Sequence, residues 1–217
     1  MSGIETAGLA LGMISAIISI IDATHQVYEA VKDEAGLPTN FKKSATKLPL
    51  ISKLLEDAEI YVKTADEATG IAFTPTLEDC RAQAIQLQDL FGKVMPEDGE
   101  SRWDRYVKAA RTIGKGGRVE DLVRRILDDL QLLATRFPEV ATQRRKEQLA
   151  MAVEEVTKME PSLPDGFEQM PTYAHYGSGA QNNITGQHIN SGGNQMYGSG
   201  QQYIGTNHIG TPSQSSP

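Results

Sequence analysis

The stretch TAGLALGMISAIISII, from Thr6 to Ile21, carries no charge over about sixteen residues. Apolar residues continue past it as Val27, Tyr28 and Val31, now mixed with polar ones at helical spacing, so residues 4–33 read as one helix. A helix that is apolar on nearly every side must be buried, in protein or in lipid. The uncharged run falls slightly short of the roughly 20 residues a membrane span needs. The expectation for the resting protein is the central helix of a bundle. Entry into lipid stays open as a second state. Gly8, Gly12 and Ala16 lie four apart on one face. That spacing permits close helix contact in a membrane, and equally in a soluble bundle.

More helices follow. Thr39 or Asn40 starts a second, about 40–66, which Pro49 should kink or begin because proline lacks an N–H and crowds the preceding turn. Thr74-Pro75 opens a third, about 75–95, with Leu77, Cys80, Ala84, Leu87, Leu90 and Phe91 on one stripe. Ser101 caps a fourth from Arg102 to about Ile113. The Gly114-Lys115-Gly116-Gly117 turn leads into a fifth, about 118–136, and a more polar helix spans about 139–159. No segment before residue 160 alternates as strands do. The fold class is all-α, a bundle of five or six helices over residues 1–160.

Charge divides the chain. The formal net charge is −7, yet beyond Glu160 only Asp165 and Glu168 are charged, which leaves −5 for the body. Pro161, Pro164 and Pro171 mark residues 161–174 as a disordered linker. Residues 175–210 are uncharged and written twice: YGSG begins at Tyr176 and again at Tyr197, and QHI near the end of the first copy answers NHI in the second. Residues 211–217 read as a disordered end. So few apolar groups cannot build a globular core. In an in-register cross-β stack, however, each residue sits on its own copy roughly 4.8 Å away, and an uncharged segment escapes the resulting repulsion. Gln181, Asn182, Asn183, Gln187, Asn190, Asn194, Gln195, Gln201, Gln202 and Asn207 can form amide ladders. Ile184, Ile189, Tyr203, Ile204 and Ile209 can fill a small dry core. The two copies suggest two stacked rungs from one chain. A flexible tail without a partner is the competing reading.

Several chemistries find no support. No catalytic Ser-His-Asp or Cys-His pattern stands out, and no enzyme is expected. His25 is alone, while His175, His188 and His208 lie in the tail at spacings that match no compact metal site. Cys80 reads as core. GKGG lacks the phosphate-loop spacing and a preceding strand. No region gathers a large basic field, so no nucleic acid is expected as partner. Neither a cofactor nor a small-molecule substrate is implied. A single cysteine suits a reducing cytoplasm. Glu5 sits where a secretory signal carries Lys or Arg, and Ser2 occupies the position myristoylation requires for glycine.

The run GLALGMISAIISIIDATHQVYEAVKD, continuing through LPTNFKKSATKLPLISKLLEDAE, resembles the fungal HeLo-like helical domain of the SesA type, found at the N-terminus of NACHT and other P-loop NTPases. The tail QNNITGQHINSGGNQMYGSGQQYIGTNHIG resembles the sigma-type amyloid signalling motif that ends such proteins. The resemblance implies a programmed-cell-death effector of the kind seen in heterokaryon incompatibility. A NOD-like receptor with a matching motif would nucleate a fibril, template this tail in prion-like fashion, and so turn a cytoplasmic protein toward plasma-membrane lipids. The implied membrane-inserting residues are Gly8, Leu9, Leu11, Gly12, Met13, Ile14, Ala16, Ile17, Ile18, Ile20 and Ile21. The implied amyloid core runs from Tyr176 to Ile209 and includes Tyr197. No ATPase domain follows the helical part, which implies an effector and not the receptor.

Three rivals stand beside that reading. One is a helical interaction adaptor in NLR signalling without membrane activity, which should tolerate Leu11→Lys only if that side faces water. Another is an enzyme with an unrecognised site. The last is a regulator that binds the fibril and blocks a toxic relative.

Overall fold

The computed structural model describes residues 3–30, 38–94 and 101–169, with side chains of the first helix described from Gly8 onward. Among the described residues every regular element is helical: α1 (Gly3–Glu29), α2 (Thr39–Ala45), α3 (Leu48–Thr64), α4 (Glu67–Val94), α5 (Arg102–Ile113), α6 (Val119–Arg136) and α7 (Gln143–Thr157), with a short 3-10 turn at Phe167–Gln169. The all-α bundle is as expected. Seven segments replace five or six because the expected second helix is two. Thr46 and Lys47 break it, and Pro49 sits in the first turn of α3, where its missing N–H is harmless.

Pro75 departs from expectation. It lies inside α4 and does not start it. The helix begins eight residues earlier, where the Asp66 carboxylate accepts the Thr69 N–H at 2.9 Å. That extra length buries Phe73 against Phe137, with ring centroids 4.6 Å apart, and against Tyr61 at 6.0 Å. Full burial of such a side chain contributes roughly 1.5–3 kcal/mol, comparable to the ~3 kcal/mol cost of an interior proline. Pro75 itself faces water. The last helix is shorter than the sequence suggests. Thr142 caps it by accepting the Arg145 N–H, and the preceding Val140 and Ala141 are buried in a turn.

The core is one continuous cluster from Ala10 to Phe167. Its centre is α4, which packs against α1, α5 and α6. The expectation of α1 as the central helix is therefore corrected: α1 lies on one side, in the groove between α3 and α4.

The packed body also extends beyond Glu160. Residues 161–169, expected to be linker, form a strap across α5 and α6 with Leu163 and Phe167 buried. Ser162 donates its backbone N–H to Glu120 Oε1 at 2.7 Å and its hydroxyl to Oε2 at 2.8 Å. Tyr106 completes the network, with its hydroxyl 2.5 Å from Ser162 Oγ and accepting the Val119 N–H. Arg118 pairs with Asp165 at 2.7 Å, its guanidinium carbon 5.5 Å from the Phe167 ring centroid.

Candidate membrane-entering helix

The sequence of α1 divides its surface in two. Ala10, Ile14, Ile17, Ile21, Thr24 and Tyr28 recur every three or four residues and are buried. Leu11, Met13, Ile18 and Ile20 flank that stripe, half-buried and packed on the core. Ala16 is half-buried as well. The opposite side consists of Gly8, Leu9, Gly12, Ser15 and Ser19, all exposed. A side-chain carbon added at Gly8 or Gly12 would meet nothing within 4 Å. The small residues Gly8 and Gly12 therefore make no close helix contact in the bundle.

This explains why α1 is not enclosed. Glycine and serine have little apolar surface to bury, so removing this face from water would add little to stability. Leu9 is the exception, a large apolar side chain at 52% exposure.

Polar pins hold α1 antiparallel to α3. Ser15 donates to Glu59 at 3.0 Å, and Ser52 donates to Asp22 at 2.7 Å. The Ser15 hydroxyl, with help from Lys63, holds the Glu59 carboxyl below its usual range. At the far end, Tyr28 packs edge-on to Phe91 of α4, ring centroids 6.3 Å apart. Phe91 in turn lies 4.2 Å from Phe41 of α2.

By length and composition Gly8–Glu29 is the one stretch among the described residues able to cross a membrane, and only 28% of its most apolar window is buried. Length and composition alone do not distinguish such a helix from a core helix of a soluble protein.

A family model for the SesA domain, the N-terminal domain on NACHT-NTPases and P-loop NTPases, matches residues 14–133, more than half of the chain. The chain belongs to the SesA family. The SesA match starts at Ile14 on the buried stripe of α1 and ends at Leu133 in α6. It leaves out Gly8–Met13, α7, the strap and the repeated tail. No curated protein and no solved structure matches the chain.

The expected amyloid core, from Tyr176 through Gln181, Asn182, Asn183, Ile184, Ile189, Tyr197, Gln201, Gln202, Tyr203 and Ile204 to Ile209, lies outside the described residues. GKGG is the α5–α6 turn: Gly114 and Gly116 both have φ +83°, and Gly117 donates to Gly114 O at 2.9 Å. Cys80 is fully buried, and burial, with Asp129 nearby, pushes its thiol far above the usual range. The residues that sequence reasoning missed are Tyr106, Glu120 and Ser162. Their signal was Glu120, a carboxylate set among Val119, Leu122 and Val123 on an apolar stripe.

Proposed function

We propose that this SesA-family chain is a programmed-cell-death effector acting with an NLR-type receptor, and that α1 is its membrane-entering element. In this reading it is not an enzyme. It rests in the cytoplasm and acts at the plasma membrane. The observation that carries the proposal is the one-sided burial of a helix apolar enough for lipid. Leaving the bundle forfeits the buried stripe, at roughly 1.5–3 kcal/mol for each large side chain, so opening is rare in a monomer. Assembly of the repeated tail on a matching motif would raise the local concentration of helical domains to about the millimolar range. Crowded domains could then exchange bundle contacts for lipid and for one another.

The structure dictates the best variant. Leu11 and Ile18 pack on the core, so charging them would loosen the bundle as well as oppose insertion. Gly12 and Ser19 face water. Gly12→Lys/Ser19→Lys should leave the resting fold intact, yet each lysine opposes insertion by roughly 2.5–3.5 kcal/mol near the middle of a span. We expect dye leakage from liposomes, triggered by fibril seeds of residues 172–211, to fall at least ten-fold in this variant. Leakage at the wild-type level from a folded double variant would leave the adaptor reading instead.

A further inference from the structure

A concavity lies about 30 Å along α1 from Gly8, between α2 and the C-terminal end of α7. Its volume is about 880 Å3. Tyr28 and Met159 supply apolar lining, and Lys42, Lys43, Lys47 and Lys158 stand around it together with the carboxylates of Glu155 and Glu160. Lys47 is held by Glu155, and Lys158 by Glu154. Lys42 and Lys43 pair with no carboxylate among the described residues. A concentration of cations is unexpected on a chain of net charge −7. The groove is anchored rather than incidental, since Asn40 bonds the backbone of Glu160 and Ser44 approaches the Met159 sulfur at 4.0 Å.

We propose that this groove binds the headgroup of an anionic phospholipid in the membrane that α1 enters. The proposal rests on the membrane reading above and names the lipid partner that the reading leaves open. Charge favours a small, local anion: the body as a whole is acidic and would repel an extended polyanion, whereas one phosphate in the groove needs only the lysines that line it. Position favours a lipid. The lysines follow the apolar run in sequence, and the groove adjoins the C-terminal end of α1 at Tyr28. With the N-terminal part of α1 in hydrocarbon and Tyr28 still packed on Phe91, the groove would stand near the headgroups. Lysine stems and Met159 can then rest against acyl chains while the ammonium groups reach phosphate. Lysines placed just after a span also fix its direction, keeping their own side on the more anionic cytoplasmic leaflet.

The test is vesicle sedimentation of the full chain with fibril seeds, comparing phosphatidylcholine alone with phosphatidylcholine containing phosphatidylserine. Each lysine removed near an anionic surface weakens adsorption roughly five-fold. Lys42→Gln/Lys43→Gln should therefore lose about 25-fold on the anionic vesicles at low salt and nothing on the neutral ones. Lys53→Gln/Lys93→Gln removes the same charge from α3 and α4 and should lose far less. Equal losses from both pairs would reduce the effect to net charge and overturn the groove. Undiminished lipid adsorption in Lys42→Gln/Lys43→Gln, with lost binding of a polyglutamate peptide, would overturn it in favour of an acidic protein partner. The membrane reading is scored separately: Gly12→Lys/Ser19→Lys should stop leakage while still adsorbing to phosphatidylserine vesicles, and Lys42→Gln/Lys43→Gln should still leak neutral ones.

Discussion

Single side chains in this bundle are placed by what they can pair with. Glu120 is tolerated in the core because Ser162 offers it two donors and Tyr106 closes the chain of bonds. Asp129 has no such help. One of its oxygens is buried without a partner, and burial, with Asp79 and Asp128 nearby, pushes its pKa up to about 6. An unfolded chain loses this proton near pH 3.9, so between about pH 4 and 6 the folded state binds more protons than the unfolded one. Stability therefore falls as pH rises through that window and stays reduced above it. Asp129→Asn should gain about 1 kcal/mol at pH 7.5, a figure discounted for the partial exposure of the site. The gain should vanish near pH 3.5. Urea unfolding of both proteins at the two pH values measures it.

Helices show which parts of the sequence were readable and why. Ser101, Thr142 and the glycine turn at 114–117 act locally, but only Ser101 and the turn were recognised from sequence. Thr142 was hidden because Val140 and Ala141 continue the apolar pattern while turning in space. Pro75 misled for a tertiary reason: the burial of Phe73 offsets most of the local cost of an interior proline. The buried stripe of α1 was present as an i, i+3, i+4 pattern, but the abundance of apolar residues masked which side was outward. That side is decided by α3 and α4, which no local rule consults. The contrast between the sides is measurable. Ile17→Ala should cost about 2–5 kcal/mol in urea unfolding, because the side chain is fully buried. Gly12→Lys should change stability by under about 1 kcal/mol, since it touches nothing.

At the level of the whole chain, the folded body does not stop where the charge does. The strap inserts Leu163 and Phe167 into the core, and Arg111 donates to the Phe167 carbonyl at 3.0 Å. Ending the chain at Glu160 removes both side chains and leaves Glu120 without its donors. Two buried apolar groups at roughly 1.5–3 kcal/mol each predict a loss of about 3–6 kcal/mol relative to a chain ending at Pro171. Comparative thermal and urea unfolding of the two fragments tests this. Equal stability would mean that the strap is decoration. The amyloid reading of the repeated tail is a proposal from pattern and resemblance, and it predicts that a peptide of residues 172–211 gives reflections near roughly 4.8 and 10 Å in fibre diffraction.

The hydroxyls of α1 have a consequence for its proposed passage into lipid. Ser19 donates to the carbonyl of Ser15 at 2.9 Å, and Thr24 to that of Ile20 at 2.7 Å. Both bonds are internal to the helix, so they travel with it. In hydrocarbon, where no water is present to satisfy a stray donor, these two hydroxyls would arrive already paired. Ser15 alone among these would have to exchange Glu59 for a carbonyl of its own turn. In that proposal the cost of transfer falls on the inner stripe and the two pins to α3, while the exposed Leu9 favours the apolar side.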